Sequence, residues 1–438
     1  YQRHSLSSIK YQKLTIYKHD ELYMTIIQII STLIVLAGAF GVINYLFLKL
    51  PSTIGILIVA LLASISIMMF DYIKPDIGIS KNTIAFINNI EFSETLLEGM
   101  LGLLLFAGAL HIKVADLKLQ IFPILLMATM GVVFSTVIIG IGFSWFTGVP
   151  LIFALIFGAL ISPTDPVAVI GILRQADLSK SLETKIAGES LFNDGVGYVI
   201  FLLLIGIAFS TENHTNPSIL NIFKLFFSEV IGGALLGAIL GYLTFWIMKR
   251  IDDYALEVLL TLGLVLGGYQ LAIYLHLSGP IMVVIAGLFI GHVGIKKGMS
   301  ELTREYINSF WQLIDEILNA VLFLLIGFKV LSIVFTIDEM IAGVFAIILC
   351  LIARFSSVLI PVILLKPFRN FSQGVVPIMT WGGLKGGISV ALALSLPENE
   401  WKPIILTSTY MVVLFSIIIQ GLTIAPLAKF LGKETKLK

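Results

Sequence analysis

Apolar runs of about 17–25 residues, the length a hydrocarbon core of ~30 Å requires, repeat along this chain with short polar breaks between them. Thirteen fit: 23–48, 52–70, 94–112, 119–146, 150–173, 183–209, 224–248, 255–276, 279–295, 308–330, 338–365, 373–396 and 403–431. The pattern predicts an all-α polytopic membrane protein of about 13 transmembrane helices. The mixed segment 71–93 reads as lying along an interface, and the polar, basic residues 1–22 as a tail.

Composition agrees. Of 438 residues 58% are hydrophobic and 13% charged, against about 25% charged in an ordinary soluble domain. Net charge is +1 with scattered basic residues, so no nucleic-acid-binding face is expected. The single cysteine, Cys350, excludes an intramolecular disulfide and any multi-cysteine metal site, and reads as apolar filler. The six histidines show no metal-ligand spacing, and no cofactor is expected.

An odd number of spans puts the termini on opposite sides, and basic residues set the orientation. A cytoplasmic C-terminus gathers Lys113, Arg174, Lys249, Arg250, Lys296, Lys297, Lys366 and others inside. It leaves Lys74, Lys81, Lys224, Lys329 and Lys402 outside. Arg3, Lys10, Lys13 and Lys18 of the tail count against this choice.

Two spans read as interrupted. In Ser162-Pro163-Thr164-Asp165-Pro166, Pro163 cannot continue a helix, and Asp165-Pro166 has the form of a new helix start. Span five is therefore expected as two half-helices meeting near Thr164. Span twelve carries Trp381-Gly382-Gly383-Leu384-Lys385-Gly386-Gly387, which reads either as a second break or as close helix packing. Irregular backbone at membrane depth must be buried in protein or line a wet cavity. Paired interrupted spans running in opposite directions point to an inverted-repeat transporter, spans one to six and eight to thirteen being the repeats.

Beside the first break, Glu189, Ser190, Asn193 and Asp194 fall at about 0°, 100°, 40° and 140° around a helix at about 100° per residue, and so share a face. A carboxylate in hydrocarbon costs roughly 2.5–3.5 kcal/mol by insertion scales, which makes it an ion- or proton-pathway hypothesis. Asp194 has no fixed cation partner in view, and burial favours its neutral form, so it is expected to hold either a proton or a cation. Glu189 is expected to pair with Arg354 of span eleven as a structural tie, its rival role being a second proton carrier. Asn193 reads equally as a structural polar link. Asp315 and Asn319 of span ten either line a mouth or sit at an exposed helix end. Lys385 either offsets carbonyls at its own break or reaches to the inner face.

Together these residues resemble the NhaP/NHE-type monovalent cation:proton antiporter family, bacterial sodium/proton antiporters among them. The resemblance is carried by LLLFAGALHI at 103–112, SPTDPVAV at 162–169, GESLFNDG at 188–195, FWQLIDEILNAVLFLLIG at 310–327, ARFSSVLIP at 353–361 and WGGLKGGISVALAL at 381–394. It implies an NhaA-like fold of two inverted six-helix repeats with discontinuous crossing helices. The implied division is a tail at 1–22, dimer-domain helices at 23–118 and 253–332, core helices at 119–209 and 333–431, a linker helix at 210–252, and a cytoplasmic tail at 432–438. It implies a homodimer in the cell (inner) membrane, in contact with lipid.

The same resemblance implies Na⁺ (or Li⁺) exchange for H⁺ at Asp194, with the Ser190 hydroxyl and the Thr164 backbone as further Na⁺ ligands. Asn193 and Asp165 would hold the crossing. Asn before Asp is similar to electroneutral relatives, one proton per cation. Two residues depart from the family pattern: Ala107 stands where many relatives carry an acid, and Lys385 where Arg is usual. K⁺/H⁺ exchange is the nearest alternative. A gated cation channel and an intramembrane aspartyl protease are the other classes, and the Phe-Asn-Asp-Gly setting of Asp194 does not suit the protease.

Overall fold

The structure, a computed structural model, describes residues 26–74, 83–84, 99–112, 114–165, 180–209, 219–294, 299–333, 335–368 and 374–436. Among these residues the secondary structure is helical, with no strand. In chain order the helices are α1 (Ile26–Ile43), α2 (Ser52–Ile73), α3 (Leu101–His111), α4 (Val114–Thr147), α5 (Leu151–Ile161), α6 (Lys180–Phe209), α7 (Ile219–Met248) and α8 (Tyr254–Tyr274). There follow α9 (Gly279–Phe289), α10 (Glu301–Lys329), α11 (Ile337–Leu365), α12 (Val375–Trp381), α13 (Gly387–Leu394), α14 (Lys402–Phe415) and α15 (Gly421–Lys436). Single π turns at Asn44–Leu48, Ile290–Gly294 and Ser416–Gln420 extend α1 and α9 and join α14 to α15.

All thirteen apolar stretches contain helix, and among the described residues eight helical segments are long and apolar enough to cross a membrane. Leu101–His111, Leu151–Ile161 and Gly279–His292 are apolar but shorter. Several expected boundaries move by a few residues, and two of the shifts have a plain local cause. The tenth helix starts at Glu301 rather than 308, because Ser300 caps it, its hydroxyl accepting the Thr303 N–H at 3.4 Å. The fifth helix stops at Ile161, since Pro163 cannot extend it. The second half of span five from Pro166 on, and with it the helix start expected there, most of the segment 71–93 and the tail 1–22 lie outside the described residues.

Burial follows two apolar clusters. One joins α1, α2, α4, α5, α11 to α15 and the second half of α10, with Phe143, Phe157, Phe323 and Tyr410 fully buried. The other joins α3, α7, α8, α9 and the first half of α10, around Phe106, Met282 and Trp311. Helix α6 contributes Ile186 and Phe201 to the first and Leu191 to the second. The clusters therefore meet along α6 and α10, where the buried Glu189, Ser190, Asn193, Asp194 and Asn319 also lie. Large apolar side chains exposed on the outside, such as Leu235 and Ile239 on α7 and Ile348 and Ile352 on α11, suit contact with lipid.

Candidate functional site

Helix α5 ends in a polar turn. The Ser162 hydroxyl donates to the Gly158 carbonyl at 2.6 Å, and Ser162 to Asp165 run on without helix. Between α12 and α13 the chain is again non-helical from Gly383 to Gly386, so the glycine cluster is a break. The two interruptions touch: the Asp165 N–H donates to the Leu384 carbonyl at 2.8 Å. A side chain at Gly386 would put its Cβ 2.6 Å from the Cβ and Oδ2 of Asp165, so glycine is what permits this approach.

Lys385 resolves the alternatives the sequence left open, and in neither of the expected ways. It is 4% exposed, so it does not reach the inner face. Its ammonium serves the other break, donating to the carbonyls of Ser162 at 2.8 Å and Pro163 at 3.2 Å. A fixed cation at a helix C-terminus compensates carbonyls that have no intrahelical partner. Its own backbone N–H is taken by the Ser416 hydroxyl at 2.8 Å.

Helix α6 runs alongside. A Cβ at Gly197 would overlap the Pro163 ring, so its absence brings α6 against the first break. Asn193 binds both ends of Thr164: its amide nitrogen donates to Thr164 Oγ1 at 2.8 Å, and its oxygen accepts the Thr164 N–H at 3.3 Å. Thr164 Oγ1 lies 3.0 Å from Ser190 Oγ. Thr164, Ser190, Asn193 and Asp194 are all buried. Among the described residues the Asp194 carboxylate has no hydrogen-bond or ion-pair partner, and the charges that reach it are Asp165 and Lys385.

Glu189 and Arg354 meet in a two-pronged ion pair, Nη2 to Oε2 at 2.9 Å and Nη1 to Oε1. Both are buried, and Arg354 Nε also donates to the Met379 carbonyl at 3.2 Å. Gly383 lies against the guanidinium, where a side chain would collide with it. The pair thus ties α6, α11 and α12 with every charge engaged.

Helix α10 closes one side. Asn319 is buried and donates to the Asp315 carbonyl and to its Oδ1, at 2.8 and 3.1 Å. Asp315 is half-buried within electrostatic reach of Asp165, whereas Glu316 is exposed. Ala107 is fully buried in the second cluster and brings no polar side chain. The Leu384, Met379 and Ser416 partners escaped sequence reasoning, since backbone carbonyls and a lone serine leave no pattern to find.

The family model for the sodium/hydrogen exchanger, transmembrane, matches residues 25–430. The chain belongs to the sodium/hydrogen exchanger family. It is 44% identical to the Na(+)/H(+) antiporter NhaP of Pseudomonas aeruginosa over 92% of this chain and 96% of that protein. It is 34% identical to the Na(+)/H(+) antiporter NhaH of Halobacillus dabanensis over 88% and 93%. Its fold matches the sodium proton antiporter MjNhaP1 of Methanocaldococcus jannaschii with a TM-score of 0.75 at 20% identity, covering 93% of this chain and 99% of the other. This exchanger is a multi-pass membrane transporter and not an enzyme.

Proposed function

We infer that the chain exchanges Na⁺ or Li⁺ for H⁺ across the cell membrane, electroneutrally and one for one, and serves pH homeostasis. The observation that carries this reading is Asp194: a buried carboxylate, unpaired among the described residues, beside the contact of two interrupted helices. One acid without a fixed partner binds a proton or a cation but not both, and that exclusion couples the two fluxes. Ser190 and the Thr164 backbone stand as further Na⁺ ligands. Asn193 and Asp165 hold the crossing, Lys385 compensates its carbonyls, and Glu189 with Arg354 braces it. The relatives named as Na(+)/H(+) antiporters support the cargo.

In the proposed cycle the core helices of 119–209 and 333–431 rock against the dimer-domain helices of 23–118 and 253–332. Each protomer of a homodimer then exposes Asp194 to one side at a time, with the C-terminus cytoplasmic and inverted repeats relating the two openings. Reconstituted into liposomes with a pH indicator inside, the chain is expected to move protons when Na⁺ or Li⁺ is added, with no membrane current. Asp194→Asn is expected to abolish this flux. Flux retained by that variant overturns the assignment, and flux driven by K⁺ but not by Na⁺ or Li⁺ reassigns the cargo.

A further inference from the structure

Glu257 lies in the first turn of α8, fully buried, and among the described residues neither of its carboxyl oxygens has a hydrogen-bond partner. The nearest polar groups along the helix are engaged elsewhere. Thr261, one turn on, donates its hydroxyl proton to the Val258 carbonyl at 2.8 Å and accepts the Trp311 indole N–H at 3.0 Å. Asp253 caps the helix through the N–H groups of Ala255 and Leu256, at 2.9 and 3.1 Å.

Among the described residues no cation hydrogen-bonds to Glu257. The charges that reach it are Asp252 and Asp253, exposed and of the same sign. The elements packed against α8 are α3, α7, α9 and α10. At the same end of the bundle they carry His111, Lys249 and Arg250, His292, and Glu301, Arg304 and Glu305, and Glu257 accepts a hydrogen bond from none of them. His111 Nδ1 lies 2.7 Å from the Ala107 carbonyl, and the Arg250 guanidinium covers the Trp246 ring at 3.6 Å. A carboxylate ion removed from water, with neither donor nor cation, is far costlier than the neutral acid.

We propose that Glu257 is a second proton-binding site, separate from Asp194, occupied in the packing seen here, and that losing the proton opposes the contact between α8 and α10. Helix α10 carries the effect onward. Trp311 ties it to α8 and packs in a tilted contact on Phe106 with ring centroids 4.6 Å apart. One turn beyond lies Asp315, then Asn319, and Leu322 packs against Gly387 at the second break. Proton binding at Glu257 stands by itself; only its effect on transport rests on the exchange reading.

Infrared difference spectra between acidic and alkaline buffer, recorded on the reconstituted full chain, test the site. Asp194→Asn, which removes the other unpartnered acid, is expected to show the carbonyl stretch of a carboxylic acid free of hydrogen bonds, and Glu257→Gln added to that background is expected to lose it. Gln has the size and neutrality of the protonated acid, so this variant is expected to purify folded. The same band in the double variant, or a variant that aggregates, overturns the site. In liposomes, Glu257→Gln is expected to keep the acid-side exchange rate and to lose the alkaline part of the wild-type pH response. A profile superimposable on wild type overturns the link to α10. If wild type itself exchanges no cation for protons, the exchange reading fails while the infrared result still decides the site.

Discussion

The backbone N–H of Asp165 donates to the carbonyl oxygen of Leu384 at 2.8 Å, joining the two interruptions main chain to main chain. Each break leaves peptide groups without a helical partner, and here one break satisfies the other. The approach depends on Gly386, where a methyl group would meet Asp165 at 2.6 Å. Gly386→Ala is expected to lower stability by about 1–3 kcal/mol, as overpacking does, and to cut exchange more than tenfold. Thermal unfolding in detergent and liposome flux check both numbers.

Arg354 and Glu189 are buried and each is the other's only ionic partner among the described residues. Removing one leaves an uncompensated charge, so Arg354→Met and Glu189→Gln are each expected to cost about 3–5 kcal/mol. The double variant is expected to recover most of that loss. A double-mutant cycle on thermal stability measures the coupling, and additive losses would refute it.

Lys385 compensates two carbonyls through one ammonium. Lys385→Met strips them of their donor and is expected to destabilise the chain by about 1–3 kcal/mol and to reduce exchange. Lys385→Arg, with more donors than the two carbonyls need, is expected to retain most activity. Equal loss in both variants would show that chain shape, not donor placement, matters.

Ser190 Oγ lies 3.0 Å from Thr164 Oγ1 and one turn from Asp194. Ser190→Ala removes one candidate oxygen and leaves the carboxylate, so a several-fold rise in the KM for Na⁺ with little change in kcat is expected. A fall in kcat at constant KM would point to a structural role instead.

Competition at one carboxylate has a pH signature. If Na⁺ and H⁺ exclude each other at Asp194, a tenfold increase in Na⁺ moves the acid limb of the rate profile down by about one pH unit, with the maximal rate unchanged. Flux measured over a grid of pH and Na⁺ concentration checks it, and an immobile acid limb contradicts it.

Much of the architecture was legible because it rests on local signals. Pro163 and the glycines at 382, 383, 386 and 387 announce where helices stop, and the spacing of Glu189, Ser190, Asn193 and Asp194 puts them on one face before any fold is known. A lone Arg and a lone Glu at similar depth are each too costly to leave alone, which anticipates the meeting of Glu189 and Arg354. What could not be read is contact decided by the crossing angle. Lys385 lies in its own break but serves the one at Ser162, and nothing along span twelve says so. Glu257 follows Asp252 and Asp253 and reads as one more solvated acid at a helix start, whereas in the fold it is fully buried.

The bond from Lys385 to Ser162 spans 223 positions of the chain. During synthesis the ribosome releases the Ser162 turn long before the lysine that covers its carbonyls exists. The half-made protein must shelter that turn by other means, with water or with a helper in the insertion machinery, until the later segment arrives. Truncations ending before Lys385 should therefore be the form that cellular quality control captures and degrades.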